Sequence, residues 1–213
     1  MSSRGAGAAS AAAARADVAT ASGVVAPRST SFDRWVAGLR HTEALVHVRA
    51  QSRVCDVGCG VDAMFLDRIT SHARVRAGLD YQRIVARPAG ALLVQGDVTG
   101  TLPFRDGSFD HVTLLAVIEH LRAPEQVLRE AHRILAPGGS VIITWPAAAV
   151  DAILAVLRRI GVVSPEMEAD QHQPRRAPSE WIRLLEEIGF ANVHHHTFEL
   201  GLNHLMVATH PPA

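Results

Sequence analysis

The stretch Val54-Cys-Asp-Val-Gly-Cys-Gly60 decides how the rest of the chain is read. A short apolar run from Arg53 to Val57 breaks into glycines, and Ala63, Met64, Phe65, Leu66 and Ile69 follow at helical spacing. The pattern is strand, tight turn, helix. Glycines at such a turn let a ligand approach the backbone and face the start of the helix.

Downstream, Val75 to Leu79 reads as a second strand ending at Asp80, and Ala91 to Gln95 as a third ending at Gly96-Asp97, with a short Pro-broken link between them. His111 to Leu115 makes a fourth strand, and Pro124 to Leu135 a helix with proline near its start. Pro137-Gly-Gly139 is read as the stop before a fifth strand, Ser140 to Thr144. Strands alternating with helices argue for a parallel sheet. Beyond Trp145-Pro146, helical stretches at Val150 to Ile160 and Pro178 to Ile188 flank the polar segment Ser164 to Ala177. Val193 to Leu200 and Leu205 to Thr209, joined by Gly201-Leu-Asn203, form a hairpin, so an antiparallel pair ends the sheet.

Upstream, Phe32, Trp35, Val36, Leu39, Leu45, Val46 and Val48 recur at the spacing of a helix with one buried stripe. The expected division is a disordered Ala- and Ser-rich tail over residues 1–30 and one folded domain over 31–213. Trp35 and Trp181, both on amphipathic stretches, are expected to pack in the core.

Composition narrows the chemistry. With 21 basic and 21 acidic residues among 213, the chain has no net field to hold a phosphate polymer or an anionic membrane. Nucleic-acid binding is therefore not expected, nor is membrane insertion, because no window reaches the roughly 18 unbroken apolar residues that a span needs. All the basic residues are arginine, which excludes a Walker lysine, a kinase strand lysine and Schiff-base chemistry. Cys55 and Cys59 make neither a disulfide framework nor a zinc set, and a reduced, cytoplasmic setting is expected. In His194-His-His196, strand alternation turns neighbouring rings to opposite faces, so the run cannot converge on one ion, and no metal is expected.

Gly58-Cys-Gly-Val-Asp-Ala63 satisfies the G-x-G-x-x-A dinucleotide fingerprint, and Asp80 follows at the distance of a ribose partner. A nicotinamide oxidoreductase is thus one reading. Asp56 weighs against it, since a carboxylate at the strand mouth repels a pyrophosphate but suits a cationic amine. Asp62 adds to the repulsion. Asp97, after the third strand, is placed to accept a hydrogen bond from a purine amine. The ligand described has adenine, ribose and a positive end, without phosphates.

These blocks, with Gly78-Leu-Asp80, Gly96-Asp97-Val98, Leu102-Pro-Phe-Arg-Asp-Gly-Ser-Phe-Asp110 and Pro137-Gly-Gly139, resemble a class I S-adenosylmethionine-dependent methyltransferase over about Phe32 to Thr209. Leu102-Pro-Phe and Ala116-Val-Ile-Glu-His-Leu121 are similar to the small-molecule branch that includes quinone-biosynthesis enzymes. The resemblance implies a Rossmann-like α/β fold, seven mostly parallel strands in order 3-2-1-4-5-7-6 with strand 7 antiparallel, and helices on both faces. It implies S-adenosylmethionine as cofactor, with Asp56, Gly58 and Gly60 at its methionine portion and Asp80 at the ribose hydroxyls. Asp97 and Val98 would hold the adenine, Tyr81 would cover it or the ribose, and Leu115 and Ala116 would meet the amino group. Glu119 would begin the wall shared with a small-molecule acceptor, and Trp145 would line the acceptor pocket. The chain departs from the family at Asp62, where a third glycine is usual, and in the abbreviated segment Tyr81 to Gly90, where a fuller helix is common. The first departure leaves room for a non-catalytic binding protein on the same scaffold.

Methyl transfer from a sulfonium needs alignment and exclusion of water, with a base only where the acceptor holds a proton of high pKa. His120 and His172 are the candidate bases, since imidazole titrates near neutrality and both fall in segments expected at the pocket mouth.

Overall fold

The computed structural model describes residues 31–86, 88–147, 150 and 176–212. The chain divides into a unit ending at Trp35 and a unit from Val36 to Ala213. The expected tail, the expected helix from Val150 onward except its first residue, and His172 lie outside the described residues.

In chain order the elements are α1 (Ser31–Leu45), β1 (Arg53–Val57), α2 (Met64–Arg68), β2 (Val75–Asp80), β3 (Ala91–Gln95), β4 (Phe109–Leu115), α3 (Pro124–Ile134), β5 (Leu135–Pro146), α4 (Pro178–Ile188), β6 (Ala191–Phe198) and β7 (Asn203–Thr209). Short 3-10 turns cover Ile118–His120 and Glu199–Gly201. The strands form one seven-stranded sheet in the order β3-β2-β1-β4-β5-β7-β6. Pairings from β3 to β5 are parallel, and β7 runs antiparallel to both β5 and β6. This is the expected topology.

Strand alternation sorts side chains into two cores. Val141, Ile143, Met206 and Ala208 pack on one face with Val127, Leu128 and Ala131 of α3 and Trp181, Leu184 and Leu185 of α4. Ile142 and Leu205, one position out of step, pack on the other with Ala44 of α1 and Phe65, Leu66 and Ile69 in and after α2. Both faces being covered explains why the central strands are near-continuous apolar runs.

The structure corrects several expectations. Pro137-Gly-Gly139 does not precede β5 but lies inside it: Leu135 already pairs with Phe109, and the register shifts before His111 meets Ser140. Gly138 at φ 76 absorbs that irregularity. The helix after the glycine loop is only five residues long, so the loop backbone, rather than a helix dipole, forms the cradle. Trp35 is 60% exposed rather than buried in the core, whereas Trp181 is buried. The hairpin connection falls at Glu199–Gly201, where Glu199, Leu200 and Gly201 all take positive φ.

Candidate active site

The ends of β1, β2 and β4 meet at the glycine loop. Gly58 and Cys59 N–H both donate to the Leu79 carbonyl, at 2.7 and 3.2 Å, fastening the loop to the end of β2. Gly58 and Gly60 take φ of 77 and 72. A Cβ on Gly58 would stand 2.4 Å from Cγ2 of Val117, so this position is closed to any side chain. The residue in the left-handed region further along is Ala63, at φ 44, and not Asp62. The departure at Asp62 therefore leaves the two glycines that shape the turn untouched.

Asp80 is buried and holds the loop from below: Oδ2 accepts from Gly60 N–H and Oδ1 from Gln82 N–H, each at 2.8 Å. A carboxylate offers about four acceptor positions, so each oxygen keeps capacity for a ligand hydroxyl. Asp80 opens onto a cavity of about 600 Å³ with Gly58, Tyr81, Asp97, Val98, Ala116, Val117 and His120. At that size the space lies within the roughly 300–1,000 Å³ range of cofactor sites.

Of the residues assigned to the cofactor, the structure thus brings Gly58, Asp80, Tyr81, Asp97, Val98 and Ala116 to one cavity. Asp56, Gly60 and Leu115 are not among its lining residues. Asp56 is buried behind the loop, accepting a 2.6 Å hydrogen bond from the Thr113 hydroxyl. Burial and, to a lesser degree, the Asp80 charge push its pKa up to about 7 against the Thr113 hydrogen bond. Gly60 spends its N–H on Asp80, and Leu115 is buried in the α1-side core.

Asp97 is exposed, and its Oδ1 accepts from both the N–H and the hydroxyl of Thr99, at 2.8 and 2.7 Å. The Thr99 bonds hold its pKa below the usual carboxylate value, so Asp97 is an acceptor at neutral pH. Ala116 stands at φ 57, its N–H held by the carbonyl and hydroxyl of Thr144 at 3.0 and 3.1 Å.

A second cavity, of about 310 Å³, adjoins the first through Leu121. It is lined by Glu119, Arg122, Trp145, Arg176, Glu180 and Trp181, among others. Trp145 is set by stacking on His204, at 4.9 Å and 20°, and its ring lies 6.2 Å from that of Trp181. Arg176 stands 5.2 Å above Trp181 and pairs with Glu125. Behind the wall, burial lowers the pKa of Arg40, while the carboxylates of Glu119 and Glu199 oppose that shift. The Glu119 side chain is only 7% exposed. His120 lies on the side of the larger cavity, with Nε2 4.0 Å from Glu119.

Sequence reasoning missed Val117, Thr113 and Arg40. The small size of Gly58 signals that something must cover it, but not what.

The profile of the methyltransferase-domain family matches residues 32–195. The chain belongs to the class I S-adenosylmethionine-dependent methyltransferases. The family's cofactor decides against the nicotinamide reading. A demethylmenaquinone methyltransferase of Listeria monocytogenes is 30% identical over 123 residues, 52% of this chain and 52% of the relative. The chain therefore spans about half the length of the curated relatives it matches. An S-adenosylmethionine-dependent methyltransferase of Archaeoglobus fulgidus superposes with a TM-score of 0.64 at 17% identity, over 83% of this chain and 94% of that one. The cyclase SpnF superposes equally well, at 0.64 and 15% identity, over 86% and 84%. Such likeness establishes the fold and leaves the reaction to the site.

Proposed function

We propose that this methyltransferase moves a methyl group from S-adenosylmethionine to oxygen, nitrogen or carbon of a small, flat acceptor. The observation that carries the reading is the pair of adjoining cavities: a larger one edged by Asp80 and Asp97, and a smaller one walled by Trp145 and Trp181. The curated relatives named for demethylmenaquinone support an aromatic acceptor.

When bound, the cofactor supplies a methyl group on a sulfonium, open to in-line displacement. The chain's task is then to position and to dry the site. Asp80 accepts hydrogen bonds from ribose hydroxyls while Gly60 and Gln82 keep its carboxylate from rotating. Asp97 accepts from an adenine amine, and Val98 and Tyr81 flank the base. The indoles of Trp145 and Trp181 fix the plane of the acceptor. His120, on the 3-10 turn shared by both cavities, takes the acceptor's proton where one must leave.

Calorimetry with S-adenosylmethionine tests the cofactor half. Asp80→Ala removes hydrogen bonding to a charged group, a loss of about 1.5–3 kcal/mol in all, so affinity should fall about 10- to 150-fold. Unchanged affinity would remove Asp80 from the ribose site. Mass spectrometry of a cell extract incubated with the protein and isotopically labelled S-adenosylmethionine tests the transfer and names the acceptor. Tight cofactor binding with no labelled product would favour a non-catalytic binding protein.

A further inference from the structure

We infer a divalent transition-metal site, of the kind that takes zinc, formed by Glu43, His47 and His196 on the side of the sheet covered by α1. One ligand atom from each lies within 4.8 Å of the other two. The grouping crosses the fold: Glu43 belongs to α1, His47 to the turn that ends it, and His196 to the edge strand β6.

Each residue is held there independently of an ion. Pairing sets His195 opposite Met206 and His196 opposite Leu205. Met206 points to the α3 and α4 core and Leu205 to the α1 core, so alternation sends His195 to the Trp145 face, where it stacks at 5.9 Å, and His196 toward α1. The same alternation that stops the three consecutive histidines from converging therefore delivers one of them to a different pair of ligands. Glu43 and His47 are four residues apart, the spacing that stacks side chains on adjacent turns. The turn is fastened by His47 N–H to the Ala44 carbonyl at 3.2 Å and by the His72 ring against the Val48 carbonyl at 2.7 Å.

Two observations distinguish the cluster from an ordinary surface ion pair. His196 Nε2 lies 2.9 Å from Glu43 Oε1, a hydrogen-bonded contact that need widen only by a few tenths of an ångström to reach the roughly 3.3 Å between neighbouring ligands of a tetrahedral zinc. His47, the third member of the cluster, has a buried Nε2 without a hydrogen-bond partner, and its imidazole centre lies 6.0 Å from that of His196. A buried ring nitrogen left unsatisfied is costly, and coordination satisfies it. Two imidazoles and a carboxylate suit zinc, with water in the fourth position. The ion would link the end of α1 to an edge strand otherwise paired on one side only.

The test uses the full chain after chelation, with Zn²⁺ followed by calorimetry and Co²⁺ by its visible absorption. The expected result is one saturable equivalent, an intense tetrahedral cobalt spectrum and a melting temperature raised by zinc. His47→Ala and Glu43→Gln should each weaken that equivalent by about 100-fold or more, at least the cost of losing an outer-shell partner. His194→Ala, altering an exposed histidine on the same strand face, should leave it intact. Far-UV circular dichroism of the metal-free variants separates lost ligation from lost fold, and His47→Gln repeats the test with a side chain that retains hydrogen bonding. Absence of a saturable equivalent, or one that survives in folded His47→Ala, would overturn the site. Neither outcome bears on S-adenosylmethionine binding, which draws on other residues.

Discussion

Replacing Gly58 by alanine should damage the protein in two separable ways. The residue sits at φ 77, where a side chain costs about 1–2 kcal/mol in backbone energy. Its new methyl would also meet Val117 Cγ2 at 2.4 Å and Cγ1 at 3.0 Å, well inside carbon–carbon contact, and overpacking of this kind costs about 1–3 kcal/mol. The sum is about 2–5 kcal/mol of lost stability. Gly60 supplies the control: at φ 72 it carries the same backbone cost, but nothing lies within 4 Å of a Cβ there. Gly60→Ala should therefore lose only about 1–2 kcal/mol. Urea unfolding of both variants measures the difference. Val117 lines the larger cavity, so on the proposed assignment its displacement in Gly58→Ala should also weaken S-adenosylmethionine binding by more than about tenfold, or 1.4 kcal/mol. Adding Val117→Ala removes the offending methyls, and a double-mutant cycle should return a coupling of at least about 1 kcal/mol. Equal unfolding midpoints for the two alanine variants, with no coupling to Val117, would refute the steric account.

Further expectations follow from the buried groups. Asp56 binds its proton more tightly folded, with a pKa of about 7, than unfolded, near 3.8, so its protonated form favours the native state. The Asp56 contribution should be fullest below about pH 4 and fall by up to about 1.4 kcal/mol per unit as pH rises toward 7, a component of the pH profile that Asp56→Asn should abolish in thermal melts. Asp110 behaves oppositely: hydrogen bonds from Arg53 outweigh burial and hold its pKa near 2, so the contribution is present above about pH 4 and lost as pH falls through 2. Asp110→Asn should cost about 1–2 kcal/mol at neutral pH, as this pair is partly solvated, and should flatten the acid limb of the same titration. Burial raises the thiol pKa of Cys55 and Cys59, so a disulfide reagent should label neither quickly in native protein and both after denaturation.

The strands and the larger cavity were legible because they depend on local signals: apolar runs, glycines at a turn, and carboxylates just past strand ends; the order of the strands came from the family resemblance. Asp80 and Asp97 fall where that reasoning places them, on one cavity. Asp56 does not, because its carboxyl turns back to Thr113 on the neighbouring strand, and a side chain's choice between ligand and neighbour depends on a contact 57 residues away. Boundaries failed where tertiary pairing overrode punctuation. Pro137-Gly-Gly139 is a stop signal locally, yet β4 alongside recruits Leu135 before the irregularity. The wall of the smaller cavity was only partly readable: Trp145 followed a strand, but Glu119 acts electrostatically on Arg40 of α1, and no spacing in the sequence links the two.

The residues from Val117 to Leu121 serve both cavities at once, with Leu121 on each. A partition only one turn thick cannot be remodelled for one tenant without being felt by the other. Drift toward a new acceptor along this segment should therefore leave a trace in cofactor affinity, and selection for a broader substrate range would be channelled into the far wall, at Arg176, Glu180 and Trp181, where the donor has no stake.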